Sequence, residues 1–429
     1  MLEDARAAAS SDSCSTSSRP HSSKQVSNCK SALRLQNEAN LFEKLSTEKG
    51  VAFTILRMNT LQPHEKNAVV AVCLDSQASM LLKYCMPGPS EVVGGPGKFS
   101  PLYLDIMFNV GQYYLLTTAL QIPFLRRKNN PSTELLPEPS QGYGRGKVLL
   151  LGPTVIVTGK TAAEYSTAMY LLTSCLLACG TKKSTADWKP TVVTDHEPAL
   201  QTAVKNAWPA SKLLLCYMHM KKSIERVLED KFLCSEKTIA VILRDIFGEC
   251  SPSTNTFKSG LVDCEKTEDF EAALADKRDV WEALVKPFYD WFVAEKQLVF
   301  VAFINRSARA AAGIGKDLIT NNVSESSNSM WRKLFPSGEK NIPLSEIITR
   351  IKKRIRQQER DMAETFYENG PFSFTSDSKI TLPASGTVEN KALCDRQWIR
   401  LVGSLSDEDP FVHLRTAARV VVSKKEQKI

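Results

Sequence analysis

An acidic residue and a Cys-x-x-His motif lie close together in the middle of the chain. Asp195 follows the short β-branched run 191–194, and Cys216-x-x-His219 lies at the end of the next apolar run. In open α/β sheets, ligands bind beyond the carboxyl ends of the strands, which is where a side chain such as Asp195 would lie. Because hard cations such as Mg²⁺ prefer oxygen ligands, a carboxylate there suits metal-dependent chemistry. We therefore expect the functional site around this segment.

The residues around these groups predict a strand, a helix and a second strand. Pro198 suits the first turn of a helix, where a missing N–H has no cost. Trp208 ends that helix, because the residue before a proline is pushed out of the helical region. One helix face is apolar at the spacing of Leu200, Ala203, Val204, Ala207 and Trp208. The apolar run Leu213–Met218 is typical of a strand buried on both faces, so the Cys-x-x-His motif would lie on that strand.

The chain upstream of this βαβ unit is rich in strand patterns. The segment LYLDIMF carries Asp105 within an apolar run, and a turn at 109–111 followed by Tyr113–Leu120 predicts a hairpin. Further strand regions are predicted around Val69–Cys73 and over 148–158. A helix is then predicted from one apolar face made of Tyr165, Ala168, Met169, Leu172 and Leu176.

An acid closing a strand, a helix and then a Cys-x-x-His segment resembles the core of Mutator-like (MULE) DDE transposases. The resemblance covers roughly residues 70–350. It implies an α/β fold, an RNase H-like mixed five-stranded sheet with flanking helices, interrupted by an all-helical insertion before the third acidic residue. The family's Asn-rich turn before Glu-Ser-x-Asn is matched by Asn321, Asn322, Glu325, Ser326 and Asn328. Met107 and Ser327 depart from the family pattern, which often has a Thr and an aromatic residue there.

The resemblance implies that Asp105, Asp195 and Glu325 are catalytic acids that bind Mg²⁺ or Mn²⁺. Two divalent ions can activate the attacking oxygen and stabilise the leaving oxygen when a DNA strand is cleaved and joined. His219 would contact a phosphate or position Asp195, and Cys216 would support the site. The implied partners are DNA, as element ends and target, and a second copy of the chain. The implied location is the nucleus.

These residues also have structural interpretations. Asp105 could be a charge on an edge strand, Asp195 could cap a helix, and Glu325 could favour a helix dipole. Cys216 could simply pack within a buried strand. A zinc site is a further alternative, with Cys175, Cys179, Cys216 and His219 as ligands.

A basic run provides candidates for contact with the DNA backbone. Its residues are Arg350, Lys352, Lys353, Arg354 and Arg356. Phosphate contacts supply much of the affinity for DNA, although a solvated helix face would have the same composition. The formal net charge of +8, from 55 basic and 47 acidic residues, is compatible with a polyanionic partner.

Composition changes divide the chain into segments. We predict a disordered Ser-rich segment at 1–40, a lead-in at 41–98, a first part of the core at 99–235, a helical insertion at 236–316, a completing helix with the basic run at 317–361 and a tail at 362–429. The helical block could instead be an independent α-domain. Scattered cysteines favour a reducing compartment, and there is neither a secretory signal nor an apolar run of roughly 18 residues that predicts a membrane span.

Three functions follow from these expectations. The first is an active transposase that cleaves and transfers DNA strands. The second is a host-adopted, catalytically inactive DNA- or chromatin-binding protein, which the lack of a Cys/His recognition module in the sequence favours. The third is a nuclease of the same fold.

Overall fold

The structure is a computed structural model. It describes residues 51–52, 55–57, 68–86, 100–128, 147–178, 185–250, 257–314, 329–336, 339, 342–366, 370–375 and 391–403. The strands are β1 (Val51–Ala52), β2 (Ile55–Arg57), β3 (Ala68–Leu74), β4 (Leu102–Val110), β5 (Tyr113–Arg127), β6 (Lys147–Val157), β7 (Thr191–Thr194), β8 (Lys212–Leu215), β9 (Glu249–Cys250), β10 (Phe257–Lys258) and β11 (Phe372–Phe374).

The α-helices alternate with these strands and then dominate the second half of the chain. They are α1 (Asp75–Cys85), α2 (Ala162–Ala178), α3 (Pro198–Ala207), α4 (Tyr217–Asp230), α5 (Glu236–Phe247), α6 (Thr267–Ala275), α7 (Arg278–Leu284), α8 (Phe288–Glu295), α9 (Gln297–Phe303), α10 (Arg306–Ala311), α11 (Leu344–Thr365) and α12 (Lys391–Val402). Residues 329–334 are also helical, and short 3₁₀ turns lie at Thr185–Asp187 and Leu261–Asp263. None of the described helices is long and apolar enough to cross a membrane.

The central sheet is mixed, as expected for an α/β protein. Its main strands have the order β3-β6-β5-β4-β7-β8, with antiparallel pairing from β3 to β4 and parallel pairing from β4 to β8. The expected count of five strands was too low. The strand β3 joins the edge at β6, β1 and β2 pair with β3, and β11 pairs with β5. An apolar run predicts such strands but does not reveal the partner with which each one pairs.

The β4–β5 hairpin is confirmed. Its turn contains Gly111, whose φ of +63° lies in the left-handed region that glycine adopts without strain. Any Cβ at that position would also lie 3.1 Å from the backbone nitrogen of Ile342. The hairpin sets Asp105 directly opposite Thr117 on β5, in the interior of the sheet.

Alternate residues of the strands pack into two layers of core. On one face, called the α2 face, Leu104, Val192 and Leu213 pack with residues of α1, α2, α3 and α12. On the other, called the α11 face, Met107 and Leu115 pack with α11 and with Trp331 of the helical residues 329–334. The predicted apolar face of α2 is buried, as is that of α3 except for the half-buried Ala207, and Pro198 does begin α3.

Two regions differ from the sequence prediction. The helical spacing of Trp281, Leu284, Phe288, Trp291 and Phe292 in the sequence predicts one apolar stripe. In the structure this stripe is divided between α7 and α8, and Leu284 is 41% exposed. The break over 285–287 contains a proline at its end, which interrupts helical hydrogen bonding. In the expected tail, α12 joins the main core through the fully buried Trp398.

Candidate active site

Asp105 and Asp195 lie on neighbouring parallel strands and face the same side of the sheet. Tyr103 of β4 pairs with Val193 of β7, so the same register extended by two residues sets Asp105 level with Asp195. Because side chains alternate along a strand, both carboxylates lie on the face that carries Tyr103 and Val193. Asp105 is 6% exposed, and the side chain of Asp195 is 25% exposed.

The structural interpretations of these two acids are wrong. Asp105 lies on β4, between β5 and β7, and therefore is not an edge-strand charge. Asp195 is not the helix cap either, because the N-cap position of α3 belongs to Glu197. Both acids thus lack the simple structural roles that the sequence allowed for them.

Cys216, the residue that directly follows the third strand β8, continues this row of side chains. Thr194 pairs with Leu215, and the N–H of Cys216 donates to the carbonyl oxygen of Thr194 at 2.9 Å. Burial, with smaller contributions from the charges of Asp195 and Asp105, raises the pKa of the Cys216 thiol to about 12. Both carboxylates therefore lie within electrostatic range of this sulfur.

The Cys-x-x-His motif lies at a strand-to-helix junction, and its prediction on a continuous strand was wrong. The strand β8 ends at Leu215, and Cys216 is the N-cap of α4. Its Sγ accepts the backbone N–H of His219 at 3.4 Å, as capping side chains do. The helical signal was the spacing of Met220, Ile224 and Leu228, which form the buried face of α4.

This cap brings His219 to the acids. Its Nδ1 lies 4.0 Å from Oδ2 of Asp195, and the histidine side chain is 32% exposed. An imidazole at this distance can orient the carboxylate or carry a proton next to it. The expected roles of His219, contact with a phosphate or positioning of Asp195, stay predictions.

The zinc alternative does not fit the fold. Cys175 lies in the core of the α2 face, whereas Cys216 packs with Tyr103 and Leu214 on the opposite face. The sheet separates these two buried thiols, so they cannot share an ion. Cys179 lies outside the described residues.

A pair of carboxylates on one sheet face fits Mg²⁺, which is commonly held by one or two carboxylates together with water. Within the described part of the chain, no set of three or more His, Cys, Asp or Glu residues is arranged to hold a metal ion. Glu325, the expected third acid, lies outside the described residues, as do Asn321, Asn322, Ser326 and Asn328.

A further acidic residue, Glu197, lies in the loop that carries Asp195 and was not predicted as part of the site. The Tyr165 hydroxyl of α2 donates to Oε1 of Glu197 at 2.7 Å. Burial, this hydrogen bond and the charges of Glu197, Asp195 and Glu164 together raise the pKa of Tyr165 above its usual range. The only signal available in the sequence was the position of Glu197, two residues after Asp195 in the same loop.

The basic run lies on α11, and several of its cations contact the protein itself. Arg350 donates to Glu346 at 2.8 Å, to Glu339 at 2.6 Å and to the carbonyl oxygen of Leu334 at 3.0 Å. The other contacts are Arg354 Nη2 to Met330 Sδ at 3.1 Å and Arg356 to Glu359 at 3.7 Å. Lys353 is exposed, whereas Arg350, Lys352, Arg354 and Arg356 are half-buried. Their binding of DNA stays a prediction.

No protein-family model and no curated protein matches this chain.

Proposed function

We propose that this chain is a MULE-like DDE transposase with an RNase H-like core, which cleaves and transfers DNA strands with Mg²⁺ or Mn²⁺. The observation that carries the proposal is the level placement of Asp105 and Asp195 on one face of adjacent parallel strands. In the RNase H-like fold, the first two acids occupy neighbouring strands in this manner. An antiparallel β4-β5-β6 unit, a helix and the β7-α3-β8 unit follow the order that this fold requires.

The residues of the chain have distinct roles in this proposal. The bound metal ions would supply charge for the attacking and leaving oxygens of the phosphoryl group. Asp105, which is almost fully buried, and Asp195, which is partly open to solvent, would hold the ions. His219 would fix the orientation of Asp195, and the Cys216 cap would fix the helix that carries His219.

The placement of Met330 is compatible with Glu325 as the third acid. Met330 packs against two clusters that contain Tyr103 and Met107, the residues on either side of Asp105 on its face of the strand. Glu325 precedes Met330 by five residues, and a fully extended chain of that length spans at most about 17 Å.

The proposal includes DNA as the substrate and the nucleus as the place of action. A cleavage assay tests it: supercoiled DNA is incubated with the chain and Mn²⁺, and nicked product is measured. We expect nicking by the wild type and by the exposed control Asp187→Asn, and none by Asp105→Asn.

Equal nicking by Asp105→Asn would overturn the assignment of the acids. A wild type that binds DNA but never nicks it would favour the host-adopted, inactive DNA-binding protein instead.

A further inference from the structure

The helix α4 begins beside the acidic pair. It begins at Tyr217, where β8 ends, and its first turn is held by the hydrogen bond from the His219 N–H to Cys216 Sγ. His219 in turn lies 4.0 Å from Asp195. The side of α4 that carries His219 is therefore the side next to Asp195.

Two cations lie on that side of the helix. At 3.6 residues per turn, Lys222 and Arg226 are three and seven positions after His219 and share its side. Both are exposed. The opposite side, with Met220, Ile224 and Leu228, is buried, and a third side faces a cleft shared with α5.

The acidic residues of α4 lie beside this cationic stripe and beyond its end. Glu225 and Glu229 line the cleft beside α5, together with Lys221. Asp230 returns to the side of His219 only at the end of the helix. The stripe defined by Lys222 and Arg226 therefore lies between the acidic pair and the acidic end of α4.

The spacing of the stripe suits a nucleic-acid backbone. Four residues of α-helix separate Lys222 and Arg226 by about 6 Å along the axis. One DNA strand carries a phosphate every 3.4 Å or so along the duplex axis, so the two cations can reach phosphates about two nucleotides apart. Four of the five cations in the basic run of α11 are instead half-buried, and Arg350 is hydrogen-bonded to two glutamates.

We propose that Lys222 and Arg226 bind the phosphates of one DNA strand and direct it to Asp105 and Asp195. This inference rests on the proposed function, because it takes DNA as the substrate of that site. The logarithm of DNA affinity falls linearly with the logarithm of salt concentration, with a slope of about 0.9 for each phosphate that the protein neutralises. Two phosphate contacts therefore account for about 1.8 of this salt slope.

Fluorescence anisotropy with a short labelled DNA duplex of arbitrary sequence, in EDTA and over a range of KCl, measures that slope. We expect the double variant Lys222→Gln/Arg226→Gln to lower the slope by about 1.8. The control Lys237→Gln/Lys258→Gln removes two exposed lysines outside the stripe and should leave it unchanged. The swap Lys222→Arg/Arg226→Lys keeps both charges and should also preserve it.

An unchanged slope in Lys222→Gln/Arg226→Gln, or an equal fall in the control, would overturn the inference. Absence of salt-dependent binding by the wild type would overturn it as well. Because EDTA removes divalent ions, these results do not depend on the metal chemistry of the acids. Suppose that Asp105→Asn loses nicking but Lys222→Gln/Arg226→Gln keeps the salt slope of the wild type. The proposed function would then be supported, and DNA binding by Lys222 and Arg226 would be ruled out.

Discussion

His219 Nδ1 lies 4.0 Å from Asp195 Oδ2, although one residue is in the first turn of α4 and the other follows β7. The contact exists because Cys216 directly follows β8 and caps the helix that comes next. The position of the imidazole therefore depends on a buried thiol whose own chemistry is suppressed.

The cap should have a measurable effect on stability. Cys216→Ala removes the acceptor for the His219 N–H, whereas Cys216→Ser provides a hydroxyl oxygen at the same place. Because a lost N-cap costs about 1 kcal/mol, we expect the alanine variant to be less stable than the serine variant by that amount in urea unfolding. Equal stability of the two variants would contradict the capping role.

The thiol of Cys216 should be inert in the native protein. Burial raises its pKa from 9.0 to about 12, and the residue is 3% exposed. We expect no alkylation of Cys216 by iodoacetamide at pH 8, measured by mass spectrometry of peptides, until the protein is unfolded.

The raised pKa of Cys216 also predicts how the stability of the protein changes with pH. Since the pKa of this thiol is higher in the folded state, its contribution to stability is full below pH 9.0 and is lost as pH rises towards about 12. Cys216→Ala should therefore reduce the alkaline decline of the unfolding free energy. An identical decline in the variant would contradict this account.

Arg350 should stabilise the fold more than its neighbour in the basic run does. Arg350→Gln removes hydrogen bonds to Glu346, Glu339 and the Leu334 carbonyl, so we expect a loss of about 1 kcal/mol in thermal or urea unfolding. The matched change Lys353→Gln alters an exposed side chain and should cost almost nothing. A larger loss of stability in Lys353→Gln than in Arg350→Gln would show that the Arg350 contacts do not matter to stability.

Tyr165 should anchor the loop that carries Asp195. Tyr165→Phe removes the hydroxyl that donates to Glu197, at an expected cost of about 1 kcal/mol. Tyr170→Phe is the control on the same helix, because Tyr170 is 61% exposed. Chemical denaturation of the two variants measures the difference, and equal stabilities would argue against an anchor.

The sequence predicted the parts of the fold that have a strong hydrophobic period or a residue, such as proline, that marks the boundary of an element. The strand Thr191–Thr194, the proline that begins α3 and the buried face of α2 were all read correctly. The strand predicted through Met218 failed, because an apolar run does not distinguish a strand from the first turn of an amphipathic helix.

Side-chain neighbours were predictable only in part. Placing Asp105 beside Asp195 required the strand order, which the resemblance implied and no local pattern contains. The hydrogen bond between Tyr165 and Glu197 depends on how α2 packs against the β7–α3 loop, and no spacing in the sequence encodes it. Pairing of the Arg350 guanidinium within the protein was hidden for the same reason.

The central claim is that Asp105 and Asp195 form a metal site, and calorimetric titration with Mg²⁺ and Mn²⁺ tests it most directly. We predict saturable binding by the wild type and by Asp187→Ala, and none by Asp195→Ala, with all three proteins equally folded by circular dichroism. Binding that persists in Asp195→Ala, or a folded wild type that binds neither ion, would contradict the account.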